Sequence, residues 1–97
     1  MDDKRRLPAP EALASTREKL ASVASSIEAE ASDDARSIVV RCKPGGVVSD
    51  IAFTARAFRT DGHDLSERIM GLVREARSLA DRELAETAAA VFENEGI

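Results

Sequence analysis

A short β-rich segment, residues 37–54, constrains the fold more than any other part of the chain. Ile38, Val40 and Cys42 alternate with more polar residues, which predicts a strand with one apolar face. The Gly45–Gly46 pair follows, and glycine supplies the positive φ that a hairpin turn needs. A second β-rich run then returns. Because alanine-rich helical patterns lie on both sides, the segment predicts a β-hairpin between two helices.

The returning run is expected to alternate along its whole length, from residue 47 to residue 54. One face is assigned Val47, Ile51 and Phe53, interrupted by Ser49, and the other is assigned Val48, Asp50 and Ala52. Ahead of the hairpin, residues 28–32 read as a short polar edge strand. A turn is predicted at Asp33 and Asp34, two residues that favour turns because their side chains bond to nearby backbone.

The helical pattern before the hairpin spans about residues 11–28. Its seam positions recur at intervals of three and four, which places them on one face. The seam is about two heptads long, enough for a packed helix but too short for an independent coiled coil. The seam consists of Leu13, Thr16, Leu20, Val23 and Ile27.

A second helical pattern begins near Asp64, which together with Glu67 has the form of a capping box. Its apolar stripe keeps to one face, so the helix is predicted to extend to Asn94. A helix of roughly 30 residues spans ~45 Å, more than the hairpin can cover. The outer half must pack on the first helix, pack on a partner chain, or protrude. The stripe comprises Leu65, Ile69, Leu72, Ala76, Ala80, Leu84, Thr87 and Val91.

Composition predicts a thin core. The 97 residues make one domain, with residues 1–8 as a disordered charged arm and residues 9–95 as a single α+β domain. Aromatic residues are 3% of the chain, and much of its 43% hydrophobic fraction is alanine. Small chains with thin cores often gain stability by oligomerising, so we expect a homodimer. Its interface is expected to use both helices, through Leu13, Leu20, Val23, Ile27, Leu72, Ala76, Leu79 and Leu84.

The order of these elements resembles that of the YbaB/EbfC family of small bacterial nucleoid-associated proteins. The matching pieces, within about residues 10–90, are the first helix, the edge strand, the hairpin R-S-I-V-V-R-C-K-P-G-G-V-V-S-D-I-A-F, and the helix opening D-L-S-E-R-I-M-G-L-V-R-E-A. The resemblance implies an α-β-β-β-α protomer with long helices flanking a small antiparallel sheet. It also implies a homodimer whose helices project like tweezers and which binds duplex DNA with little sequence preference.

The chain departs from the family pattern at three places. Thr54-Ala55 stands where the family commonly has Asp-Pro, Arg74 stands where it has Asn, and Pro44 precedes the turn glycines. Some relatives in that family accompany specialised secretion loci. An adaptor or scaffold that keeps the homodimer and does not bind DNA is therefore the alternative function.

Seven basic residues are candidates for phosphate contacts. Three form an arm before the first helix, and four lie on the last helix, two of them away from its apolar stripe and two flanking that surface. Acidic residues are interleaved with them, so a solvated face with weak ion pairs is the alternative. The net charge of −4 argues against an obvious polyanion binder but not against a local basic patch. We find no aromatic residue among these basic residues, which argues against stacking on single strands. The candidates are Lys4, Arg5, Arg6, Arg68, Arg74, Arg77 and Arg82.

No motif in the sequence indicates catalysis. Cys42 alternates with apolar residues and is expected to be a small buried hydrophobe. His63 is the only histidine, and with Asp61 and Asp64 it makes a poor metal site. We therefore expect no enzyme activity, cofactor or metal. The N-terminus does not read as a secretory signal, and no apolar run has the length of a membrane span. The expected location is the cytoplasm, at the nucleoid.

Overall fold

The computed structural model describes residues 10–95, and the side chains of residues 14–94 within them. These residues form an α+β domain in which two helices flank a three-stranded antiparallel sheet, which confirms the predicted fold class. A 3₁₀ helix joins the sheet to the second α-helix. The elements are α1 (Pro10–Ser26), β1 (Ala29–Ser32), β2 (Ile38–Lys43), β3 (Val47–Phe53), the 3₁₀ helix (Ala55–Arg59) and α2 (Gly62–Glu95).

The sheet has the order β1-β2-β3, so β2 is the central strand. Val40 of β2 pairs with Ala31 on one side and with Ile51 on the other. The predicted edge strand and hairpin are both confirmed. Gly45 and Gly46 turn the chain with φ values of +87° and +85°, a backbone region that residues with a Cβ rarely adopt.

The predicted alternation of β3 is wrong at one end because the strand contains a bulge. The pairing passes from Arg41 with Asp50 to Cys42 with Val48, so Ser49 is an extra residue on β3. This extra residue reverses the faces before it. Val48, not Val47, lies on the same face of the sheet as Ile51 and Phe53.

The turn between β1 and β2 is fixed by the side chain of Asp33, where a turn was predicted. Its carboxylate accepts hydrogen bonds from the Ser37 hydroxyl, the Ser37 backbone N–H at 2.6 Å and the Ile38 N–H at 3.1 Å. The bond from the Ser37 hydroxyl contributes most to lowering the pKa of this carboxyl, and the nearby charge of Arg68 adds to the effect. Arg36 adopts a positive φ of 53° within the turn.

The predicted capping box at Asp64 is wrong, because α2 begins two residues earlier at Gly62. The Leu65 N–H donates to the Asp61 carbonyl at 2.9 Å, so the first helical turn closes on Asp61. Asp64 lies within that turn, where its negative charge still favours the positive end of the helix dipole.

The core lies between the sheet and the first half of α2. Ile38, Val40 and Cys42 point from β2 toward Leu72 and Ala76 of α2, and all five are buried. We call this face of the sheet the inner face. A second cluster joins the end of α1 to the middle of α2, where the buried side chains are Ile27, Ala29 and Ala80, with Val23 and Leu84 packed against them. The part of α2 around Ala80 and Leu84 therefore packs on the end of the first helix, which was one of the three options for the outer half.

Candidate self-association and nucleic-acid surfaces

The inner face of β3 is apolar and uncovered. Val48, Ile51 and Phe53 lie on the same face as the buried side chains of β2, yet they are 41%, 37% and 40% exposed. The reason is the position of α2, which packs mainly on β1 and β2 and only marginally on β3. We call these three side chains the β3 strip. It continues the hydrophobic core to the surface of the chain.

β3 is also an open edge of the sheet. Within residues 10–95, no strand pairs with the side of β3 that faces away from β2. An exposed edge strand with apolar side chains readily pairs with another chain unless charge or proline blocks it. β3 contains one charged residue, Asp50, and no proline. The strip and the open edge together form a surface that is poorly suited to face water.

The predicted dimer-interface residues are mostly packed within one chain. Ile27, Leu72 and Ala76 are buried in the two core clusters, so they have no side-chain surface left for a partner. The others retain partial exposure or lie outside the described side chains. Leu20, Val23 and Leu84 are half-buried, Leu79 is 37% exposed, and the side chain of Leu13 lies outside the described residues.

Arg77, which was predicted to contact DNA, contacts the hairpin turn of its own chain. A Cβ built on Gly46 would lie 2.9 Å from Arg77 Nη2 and 3.0 Å from its Nε, so the guanidinium is packed directly against the turn. One helical turn later, the Asp81 carboxylate accepts a hydrogen bond from the Gly45 N–H at 3.1 Å. These two side chains fasten the hairpin to α2, which gives Arg77 a structural role.

The other predicted phosphate contacts fall into three groups. Arg68 is exposed and lies near Asp33, whose pKa it helps to lower. Arg74 and Arg82 are exposed on α2 and form no ion pair or hydrogen bond within residues 10–95. The residues of the predicted arm, Lys4, Arg5 and Arg6, lie outside the described part of the chain.

Two further arginines are neutralised on the outer face of the sheet. Glu30 accepts from Arg36 Nη2 at 3.2 Å and from Arg41 Nε at 3.1 Å, and Arg41 Nη1 lies 3.8 Å from Asp50. The hydrogen bonds from Arg36 and then Arg41 lower the pKa of Glu30. Since their charges are matched locally, these arginines are poor candidates for phosphate contacts.

The 3₁₀ helix carries an exposed basic and aromatic group that the sequence interpretation did not recognise. Phe58 is 67% exposed and its ring centroid lies 5.5 Å from that of Phe53. Arg56 and Arg59 flank Phe58 and are both exposed. The signal for this group in the sequence is the segment A-R-A-F-R, in which an aromatic residue lies between two arginines.

Cys42 and His63 lie in different environments. Cys42 is fully buried, its Sγ lies 3.9 Å from the Val73 carbonyl, and burial raises the pKa of its thiol. His63 is exposed and lies 3.4 Å from Glu67. Residues 10–95 contain no group of three side chains placed to hold a metal ion. None of the helices described in that range is both long enough and apolar enough to span a bilayer.

Comparisons with protein-family models, with curated proteins and with solved structures find no match to the chain.

Proposed function

We propose that this chain forms a homodimer that binds duplex DNA through its phosphates, with little sequence preference. The main support for DNA binding comes from Arg74 and Arg82, which are exposed on α2 and have no acidic partner in the described residues. Eight residues of helix separate them by ~12 Å along the axis. A duplex presents about seven phosphate charges over that length, so both guanidinium groups can lie near phosphates.

The order of elements also supports this proposal. The helix, three antiparallel strands and long final helix are the order on which the resemblance to nucleoid-associated proteins was based. Fold alone does not determine function, so the exposed arginines remain the main support.

The β3 strip is the proposed site for the second copy. Antiparallel pairing of two β3 edges about a two-fold axis joins two three-stranded sheets and brings the two strips together on one face. A register centred on Ile51 places Asp50 opposite Ala52, which keeps the two Asp50 carboxylates from facing each other directly. Each strip then has the other as its apolar neighbour, in the part of the sheet that α2 does not cover. The proposed interface therefore lies on the sheet, whereas the sequence predicts it on the helices.

A salt titration with matched variants tests DNA binding. Fluorescence anisotropy with a labelled duplex of about 30 base pairs, at about 50 and about 200 mM salt, covers the range in which phosphate-driven affinity falls steeply. Replacing Arg74 and Arg82 with Gln removes four guanidinium groups from a dimer. The slope of log affinity against log salt is expected to fall by ~0.9 for each phosphate that is no longer neutralised.

Arg36→Gln is the matched control, because it removes one charge that Glu30 already neutralises. Its salt slope is expected to stay close to that of the wild type. Equal salt slopes for the control and the double variant would show that Arg74 and Arg82 do not contact the DNA phosphates. Absence of wild-type binding at about 50 mM salt, where electrostatic binding is strong, would reject DNA as the ligand.

The adaptor function is the second candidate. The net charge of −4 and the local neutralisation of Arg36 and Arg41 favour it, because they weaken attraction to a polyanion. It predicts that the tagged protein recovers a defined set of proteins from its host and that nuclease treatment leaves this set unchanged. Loss of the recovered proteins after nuclease treatment would count against it.

A further inference from the structure

We propose that the 3₁₀ helix carries a base-stacking site, in which the Phe58 ring stacks on an unpaired nucleobase while Arg56 and Arg59 contact the flanking phosphates. The site is separate from the helix arginines of the proposed function. It takes bases that are free to stack, from a single strand or from a step that opens within a duplex. We call Arg56, Phe58 and Arg59 the stacking site.

The backbone of the stacking site is held firmly. The Thr54 N–H donates to the Ser37 carbonyl at 2.9 Å, and the Ala57 N–H donates to the Thr54 carbonyl at 3.0 Å. Ala57 is 2% exposed and belongs to the main core cluster. With Ala57 anchored inward, its neighbours Arg56 and Phe58 are directed to solvent.

Phe58 is the most exposed of the large hydrophobic side chains described. It is nevertheless supported, because Phe53 lies beneath it with a centroid separation of 5.5 Å and an interplanar angle of 45°. An exposed ring of this kind offers a face on which any base can stack, and such stacking does not depend on sequence.

The local charge matches a nucleic acid strand. No acidic residue lies between Asp50 and Asp61, whereas Arg56 and Arg59 lie on either side of Phe58. Neither arginine has an ion pair or hydrogen bond within residues 10–95. A positive surface with an aromatic platform is the arrangement that single-strand binding proteins use.

The same charges disfavour a second copy at this position. In a two-fold interface a patch near the axis faces its own copy, so four arginines would meet with no acidic residue among them. The β3 strip has no such conflict. The observations therefore assign Val48 and Ile51 to self-association and Phe58 to a polyanion with planar rings.

A fluorescent base tests the proposal directly. The probe is an oligothymidine of about 12 nucleotides with one 2-aminopurine, a length within the range that one binding module covers. Stacking on Phe58 is expected to change 2-aminopurine emission on addition of the wild-type protein. Phe58→Leu, which keeps an apolar side chain and loses the ring, is expected to weaken binding by about fivefold or more. Phe92→Leu is the matched control, since Phe92 is also exposed, at 36%, but lies on α2.

A second arm uses the same fluorescent base within a duplex. An emission change that Phe58→Leu abolishes there assigns the stacked base to an opened duplex step, and a change confined to the oligothymidine assigns it to single strands. Both results support the site. Absence of wild-type binding to either probe, or equal affinity of Phe58→Leu and wild type, would overturn it. A Phe58→Leu variant that shifts only the self-association constant would instead assign the ring to the dimer.

Failure of this site and failure of the proposed function are distinguishable. Duplex anisotropy without any 2-aminopurine response removes the stacking site and leaves the helix arginines in place. Binding of oligothymidine without binding of duplex removes the helix arginines as a DNA site and leaves the stacking site in place. Replacing Arg56 and Arg59 with Gln is expected to lower the single-strand salt slope by ~0.7 for each phosphate that is no longer neutralised.

Discussion

Replacing Gly46 with alanine tests how the hairpin turn is held against α2. Gly46 has a φ of +85°, which costs a residue with a Cβ about 1–2 kcal/mol. The new Cβ would also lie 2.9 Å from Arg77 Nη2, so the guanidinium must move. Because it is the end of a flexible side chain, this second cost is smaller, about 0.5–1 kcal/mol, as for a torsion displaced from its rotamer. We expect Gly46→Ala to lower the free energy of unfolding by about 1.5–3 kcal/mol from the two effects together.

Gly45→Ala is the control for this measurement. Its φ of +87° carries the same backbone cost, but nothing lies within 4 Å of its added Cβ. Urea denaturation followed by circular dichroism, at one protein concentration for all variants, gives the two free energies. The difference between them should vanish when both substitutions are made in an Arg77→Ala background. Equal destabilisation by the two alanines, or a difference that survives without Arg77, would refute the contact.

Three further substitutions or treatments have defined outcomes. The Thr16 hydroxyl is buried with no hydrogen-bond partner among the described residues, so Thr16→Val should raise the free energy of unfolding by about 1 kcal/mol in urea titrations; destabilisation would show that the hydroxyl is satisfied. The pKa of Asp33 is lowered in the folded state, so its carboxylate stabilises the fold above the unfolded pKa of about 3.9, and this stabilisation is lost as the pH falls below that value. The fall in urea midpoint between pH 6 and pH 3 should therefore be smaller in Asp33→Asn than in wild type. An equal fall in both proteins would contradict the assignment. Cys42 is fully buried, so a thiol reagent should label it only on unfolding in urea, and rapid labelling of the native protein would show that the site opens.

Local patterns were sufficient to predict the order of the elements. Alternation in β2, the glycine pair in the turn and the seven-residue spacing in α1 each depend on neighbours close in sequence. The bulge at Ser49 was not predictable in this way, because it exists only in the pairing of β3 with β2. The early start of α2 was likewise missed, since its first turn closes on the Asp61 carbonyl after a 3₁₀ helix whose Ala57 is buried in the core.

The predicted dimer interface was placed on the helices because of their apolar seams. An apolar seam indicates that a helix face is buried, but it does not identify the surface that buries it. The structure packs Val23 and Ile27 against Ala80 and Leu84 of the same chain. The uncovered apolar surface lies instead on β3, where exposure depends on how far α2 extends across the sheet.

Pairing between charges that are distant in sequence determines which arginines remain unpaired in the structure. Glu30 lies six residues from Arg36 and eleven from Arg41, separations at which no helical or strand rule links them in the sequence. The contact of Arg77 with Gly46 joins α2 to the hairpin turn across a still longer stretch of sequence. Which arginines are paired with carboxylates therefore becomes visible only in the folded chain.

Light scattering of the wild type and two lysine variants tests whether a second copy binds at the β3 strip. Ile51 and Leu79 are both 37% exposed, but Ile51 lies in the strip and Leu79 lies on α2. A dimer formed through the β3 strip should have a mass of twice 10.4 kDa in the wild type and in Leu79→Lys, whereas Ile51→Lys should have a mass of 10.4 kDa. A monomeric wild type at micromolar concentration would contradict it. A dimeric Ile51→Lys together with a monomeric Leu79→Lys would also contradict it, because this result would place the interface on the helices.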